Sequence, residues 1–205
     1  MASKRSRRRR PQGSRRTKST VLIVCQGHKN VTEKEYFNQL KSHYRMGSIH
    51  IIGESDSSPE KIVSATDWVR QNDKNAPFAR VFYVVDVDDS SEAQFNQGFK
   101  KARQASTGET ACSFVVSNEA FDAWLLAHFE DLHGRTISRG SVSAKLKTLG
   151  VLRGTKGKNI DPKFPVAEHE KARKNIEVIE FNQVGKSTAS AVPHLLDELF
   201  GLLGR

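Results

Sequence analysis

The sequence predicts an α/β fold, a mostly parallel sheet of about four strands flanked by helices, and three observations carry that prediction. From Val21 onward short apolar runs alternate with amphipathic stretches, the arrangement of βαβ units. Two of the runs, Val21-Leu22-Ile23-Val24-Cys25 and Val81-Phe82-Tyr83-Val84-Val85, are apolar throughout and rich in β-branched or aromatic residues, which suits central strands covered on both faces. The stretches between them open on recognisable helix starts. An apolar content of 37% in 205 residues is enough for one core and too high for disorder along the whole chain.

The first twenty residues stand outside that pattern. They hold nine Lys and Arg and no acid, so the formal charge of +10 belongs almost wholly to them. Self-repulsion and a lack of apolar residues predict a disordered basic arm over 1–20 that follows the phosphates of RNA or DNA, with Arg7, Arg8, Arg9 and Arg10 its densest stretch. A solvated tail that aids solubility is the alternative.

After the strand 21–25, Thr32-Glu33-Lys34-Glu35 has the Thr-x-x-Glu form of a capping box, with Glu35 closing it, and Tyr36, Phe37, Leu40 and Tyr44 share a face of the helix that follows. Glu33 complements the helix dipole or reaches the end of the preceding strand. His50-Ile51-Ile52 is a second strand. Ser58-Pro59 places a cap before an N1 proline, and Ile62, Ala65, Thr66 and Val69 make an inner stripe. The strand 81–85 leads to a helix over 91–105 that buries Phe95, Phe99 and Ala102. Cys112-Ser113-Phe114-Val115-Val116 is a fourth strand, and Phe121, Trp124, Leu125 and His128 line a helix after Asn118. His128 reads as a core histidine with one satisfied nitrogen. Beyond about residue 130 strand signals stop. Short helices are expected near 141–149 and 166–178, and a C-terminal helix near 190–203 turns Val192, Leu195, Leu196, Leu199 and Leu203 inward. The expected organisation is therefore an arm (1–20), a core (21–130) and a helical extension packed on it (131–205). Arg153-Gly154-Thr155-Lys156-Gly157-Lys158 is an exposed basic loop without P-loop spacing, whose Arg153, Lys156 and Lys158 are candidates for phosphate contact.

Several classes fall away. No apolar run approaches the roughly 20 residues that span a bilayer, and the five residues 21–25 are too few for the roughly 7–15 of a signal h-region. A cytoplasmic chain without membrane contact is expected. The two cysteines, Cys25 and Cys112, lie in apolar runs outside any CxxC pair, and read as buried thiols. The seven histidines show no HExxH spacing.

The chemistry concentrates where the strand 81–85 runs into Asp86-Val87-Asp88-Asp89, because functional residues of a parallel sheet gather at the C-terminal ends of its strands. A side-chain period of two turns Asp86 and Asp88 the same way if the extended backbone persists. Two carboxylates so placed suit Mg²⁺ or Mn²⁺, which take hard oxygen ligands together with substrate phosphates. A helix cap by Asp88 or Asp89 is the bland alternative. Gly27 permits a sharp turn that leaves Gln26 in the same crevice, where a glutamine can form hydrogen bonds and cannot act as a general base.

At these residues the chain resembles the RloB-like family, which is related to the Toprim fold and associated with abortive-infection defence against phage. The basic start is followed by Val21-Leu22-Ile23-Val24-Cys25-Gln26-Gly27, similar to the family's "ILIVCEG" strand. Thr32-Glu33-Lys34-Glu35-Tyr36-Phe37 resembles "TExxYF", Asp86-Val87-Asp88 stands at the Toprim DxD pair, and Ser117-Asn118-Glu119-Ala120-Phe121-Asp122-Ala123-Trp124-Leu125-Leu126 is similar to "SNPxFExWLL". Ser187-Thr188 with His194-Leu195-Leu196 resembles the "PSTxVhxLV" ending. The resemblance implies a metal-dependent nuclease acting on RNA or DNA, with Asp86 and Asp88 holding Mg²⁺ or Mn²⁺ and an ATPase of the same defence system as a partner. It also implies a glutamate after the first strand, and this chain has Gln26 there. A natural non-catalytic homologue, an inactivated form of an active nuclease, and substitution by Glu33 all fit that departure. The runner-up function is a non-catalytic nucleic-acid-binding or regulatory subunit that docks on the ATPase. A topoisomerase-like enzyme fits less well, since Tyr36, Tyr44 and Tyr83 fall on buried faces.

Overall fold

The computed structural model describes residues 20–27, 32–54, 58–87, 90–154 and 159–202. The expectations for residues 1–19 of the arm, with Arg7, Arg8, Arg9 and Arg10, and for Asp88, Asp89, Lys156, Lys158 and Leu203, lie outside the described residues. Thr20, counted with the arm, is instead tied to the fold, its hydroxyl donating to the Asn75 and Pro77 carbonyls and its carbonyl accepting from Ala79 N–H.

The four strands read from the sequence form the body of the sheet. β1 (Val21–Gln26), β2 (Ile49–Glu54), β3 (Arg80–Asp86) and β4 (Ala111–Asn118) run parallel in the order β2-β1-β3-β4. β1 lies inside the sheet, and Val21 to Cys25 have no exposed surface, which is why its run is apolar without alternation. Cys25 and Cys112 are buried free thiols, as expected.

Helices cover both faces. α1 (Thr32–His43) buries Tyr36, Phe37 and Leu40. Its expected capping box does not close: Thr32 Oγ1 donates to Glu33 Oε2 (3.3 Å), and the Glu35 carboxylate accepts instead from the backbone N–H of Ile160. The helix read from Ser58 onward is divided into α2 (Pro59–Ala65) and α3 (Asp67–Asn72). At the break Thr66 is buried and its hydroxyl donates to the carbonyls of Ile62 and Val63 (both 3.1 Å), a back-bond that competes with a continuous helix. Val63, rather than Ala65, joins Ile62 inside. α4 (Glu92–Ala105) opens on a true capping box, Ser91 with Gln94. It packs against α2 so closely that a Cβ on Gly98 would stand 2.6 Å from the Pro59 carbonyl oxygen. α5 (Asp122–Ala127) is short and buried along most of its length.

The C-terminal part departs from expectation in the return of strands and in the break-up of one expected helix. α6 (Arg139–Thr148) precedes a hairpin of β5 (Leu152–Arg153) and β6 (Asn159–Ile160). The helix expected over 166–178 is a 3₁₀ turn (Val166–Glu168) and α7 (His169–Lys174), after which the chain extends as β7 (Glu177–Val178). β8 (Ala189–Ser190) pairs antiparallel with β4 through Ser117 and Asn118, β7 pairs parallel with β8, and the sheet has six strands in the order β2-β1-β3-β4-β8-β7. Strands of two residues carry no periodicity, and only their partners define them. α8 (Val192–Leu202) closes the described chain with Val192, Leu195, Leu196 and Leu199 buried.

Candidate active site

From β1 the chain crosses to β2 on one side and returns to β3 on the other, so the strand order reverses at β1 and leaves a crevice beyond the C-terminal ends of β1 and β3. Gln26 and Asp86 are the last residues of those strands. They meet: Gln26 Oε1 accepts the backbone N–H of Asp86 at 2.9 Å. Gly27, at φ 105°, makes the turn that a side chain would disfavour, and its N–H donates to the Glu54 carbonyl (2.7 Å) at the end of β2. The ends of three parallel strands are thereby tied together around residue 26.

Asp86 is 6% exposed, and its Oδ1 accepts from the backbone N–H of Phe121 at 2.7 Å. That bond fixes the entrance to α5 and sets Asp122, its first residue, beside the crevice. Glu33 lies in the first turn of α1 and is also 6% exposed. Burial pushes its carboxyl up to about 7, the charge of Asp122 adds to the rise, and hydrogen bonds from its own backbone and from Thr32, with the charge of Arg139, oppose it. The Cys25 thiol is raised by burial first and then by Glu33, which places this carboxylate at the end of β1. Three acids from three elements, Glu33, Asp86 and Asp122, therefore share one corner with Gln26 and the Arg139 guanidinium.

Arg139 owes its place to the tail. The backbone N–H of Arg139 donates to Glu119 Oε2 (3.2 Å). Just upstream, Thr188 N donates to the Arg135 carbonyl and Thr188 Oγ1 accepts from Ile137 N (both 3.1 Å), while Asn118 Nδ2 donates to the Ser187 carbonyl (2.5 Å). The Ser187-Thr188 pair thus works as a clasp between the end of β4 and the segment that delivers Arg139. The Asn118–Glu119 peptide on this path is cis.

Of the residues singled out in the sequence, Gln26, Glu33 and Asp86 are brought together. Arg153 sits on the β5–β6 hairpin beside α1, where it forms an ion pair with Asp161. Asp122 and Arg139 were missing from the candidate set. Asp122 stands at a carboxylate of the "SNPxFExWLL" resemblance, a signal sufficient to include it. Arg139 has no local signal and arrives through folding alone.

The donors suit a hard divalent cation, since the carboxylates of Asp86 and Glu33 border one crevice and the rise that burial and the charge of Asp122 impose on Glu33 is what such a cation relieves. Among the described residues no three His, Cys, Asp or Glu side chains form a complete metal-binding group, so the protein would supply one or two carboxylates and leave other positions to water and phosphate, as Mg²⁺ accepts.

No curated protein and no solved structure matches the chain. A family model described as RloB-like protein matches residues 21–199, from the first residue of β1 into α8. With the switch-point crevice, the Glu33 turn and the Ser187-Thr188 clasp all inside that span, the chain belongs to the RloB-like family.

Proposed function

We propose that this RloB-like protein is a Toprim-like, Mg²⁺- or Mn²⁺-dependent nuclease effector of anti-phage abortive-infection defence, hydrolysing RNA or DNA phosphodiesters at the Gln26–Glu33–Asp86 crevice, with its rate lowered by Gln26. The observation that carries this reading is the meeting of Gln26 and Asp86 at the switch point with buried Glu33 beside them. Asp86, and Asp88 beyond it, would hold the cation, which when bound polarises the phosphate and stabilises the leaving oxygen. Glu33, with its carboxyl raised to about 7, is poised to take a proton from water near neutral pH. Arg139 offsets negative charge at the same corner. Gln26 holds the strand ends in place and contributes no proton acceptor of its own.

One observation favours a second reading, a non-catalytic nucleic-acid-binding or regulatory subunit that docks on a defence ATPase: the Gln26 carboxamide is committed to the Asp86 backbone, which keeps the crevice shaped but short of one charge. A single substitution separates the two. Glutamate at position 26 can accept the same Asp86 N–H and adds the missing carboxylate. Gln26→Glu is expected to raise metal-dependent cleavage of tRNA, other RNA or duplex DNA by about 10²–10⁴-fold, with Asp86→Asn removing the gain. The assay runs with Mg²⁺ and Mn²⁺, with and without the neighbouring ATPase. No cleavage by Gln26→Glu in any arm replaces the nuclease reading with the subunit reading. Full activity of the unaltered chain, abolished by Glu33→Gln, assigns the base to Glu33 alone.

A further inference from the structure

A groove of about 620 Å³ opens between α1 and the β5–β6 hairpin, lined by Glu35, Asn38, Gln39, Arg153, Asn159 and Pro162, with Ile160 at its floor. It begins on the same first turn of α1 that carries Glu33. Its walls are fixed from below. The Glu35 carboxylate accepts the Ile160 N–H, Gln39 Nε2 donates to the Asp161 carbonyl at 3.1 Å, and Arg153 pairs with Asp161. Glu35 is thus bound to a backbone 125 residues away instead of capping its own helix, and the hairpin is held at a set distance from α1. The side-chain amides of Asn38 and Asn159 make no hydrogen bond to the other described residues, and the Arg153 side chain is 60% exposed.

Among the described residues this lining is poor for a phosphate: its one guanidinium is matched by Asp161, and Glu35 adds a further negative charge. It is right for the edge of a base: a carboxylate that accepts, a guanidinium that donates, amides that do both, and the apolar side of Pro162 for a ring to lie against. Among the four bases guanine presents two adjacent donors, N1–H and N2–H, which a carboxylate accepts together, and an O6 that an arginine reads. We infer that the groove between α1 and the β5–β6 hairpin takes one unstacked guanine of a single-stranded nucleic acid, with Glu35 accepting from its N1–H and N2–H and Arg153 donating to O6. Base edges of this kind are open only in single strands, loops and ends. The inference rests on the nuclease reading of the neighbouring crevice and names the substrate feature that crevice serves.

The test uses the full chain carrying Asp86→Asn in EDTA, so that nothing is cut, and measures fluorescence anisotropy with labelled eight-nucleotide oligo-U, RNA and DNA, unsubstituted or bearing one central G, A or C. The single G is expected to tighten binding about tenfold over oligo-U, equal to about 1.4 kcal/mol. Glu35→Gln, whose amide oxygen still accepts from Ile160, brings that preference within twofold while leaving the oligo-U affinity unchanged, and Arg153→Ala weakens the G-bearing strand selectively. Equal affinity for all four strands, a preference for C or A, or a G preference that survives Glu35→Gln overturns the inference and leaves the proposed function standing. Absence of binding by any strand also overturns the inference, and the proposed function is then decided by the Gln26→Glu cleavage assay by itself.

Discussion

His128 shows how one side chain carries both packing and a pH response. It has no exposed surface, its Nδ1 faces the Trp124 carbonyl at 3.0 Å, and Nε2 has no partner among the rings of Tyr36, Trp124 and Phe164. That is the half-satisfied core histidine its place on an apolar helix face predicts. Burial lowers its pKa to about 4, with the charges of His169 and Lys171 acting the same way against two backbone hydrogen bonds. The unfolded chain takes up this proton near pH 6.5 and the folded chain only near 4. Protons therefore favour unfolding across that window, and stability falls as pH drops through it. Urea unfolding at pH 7 and pH 5 should show the parent protein losing about 1–2 kcal/mol more than His128→Leu over that interval. An identical loss in both would place the acid sensitivity elsewhere. Glu33 and Gln26 complete the residue scale: one is a carboxyl raised by burial, the other a carboxamide spent on a backbone N–H, and neither state is visible in the residue type.

At the scale of elements, the active corner depends on segments that look like connecting loops. Thr188 is buried at 2% exposure, and its hydroxyl is the acceptor for Ile137 N–H on the approach to Arg139. Thr188→Val keeps the shape and leaves that N–H without its partner, a loss of about 1–3 kcal/mol. Hydrogen exchange at Ile137 and Arg139 should accelerate in this variant, while the amides of β1 and β3 change only in step with global stability. Unchanged exchange around residue 137 would show that the clasp does not hold this segment. The same logic explains the hairpin: β5 and β6 are only two residues each, and their seat against α1 is set by Glu35 and Gln39 rather than by strand pairing.

For the whole molecule the decisive feature is the separation of charge from fold. Nine of the basic residues behind the +10 surplus stand in residues 1–20, whereas the family match begins at residue 21. Deletion of residues 2–19, which leaves Thr20 and its bonds to Asn75, Pro77 and Ala79 in place, is expected to weaken binding to a mixed-sequence single strand and to flatten the slope of log K against log salt, with no change in the unfolding midpoint. Equal slopes with and without those residues would assign the phosphate contacts to the folded surface. Among the described residues no helix is long and apolar enough to cross a membrane, in keeping with the short apolar runs of the sequence.

By itself the sequence determined what depends on local pattern. Apolar runs named the four parallel strands, the spacing of Phe95, Phe99 and Ala102 named α4, and the turn at Gly27 placed Gln26 in the crevice with Asp86. These are short-range properties, since a strand buried on both faces must be apolar and the inner face of a helix repeats within one or two turns. Tertiary structure alone decided the rest. The two strands that widen the sheet exist only because β4 offers them partners, Glu35 leaves its own helix for Ile160, and Arg139 meets Glu33 across more than a hundred residues by way of Thr188. The bonds that set these contacts end on backbone groups far away in the sequence, such as the N–H of Ile160 and of Ile137, so no composition or local spacing announces them, and only the packed chain selects which of them form.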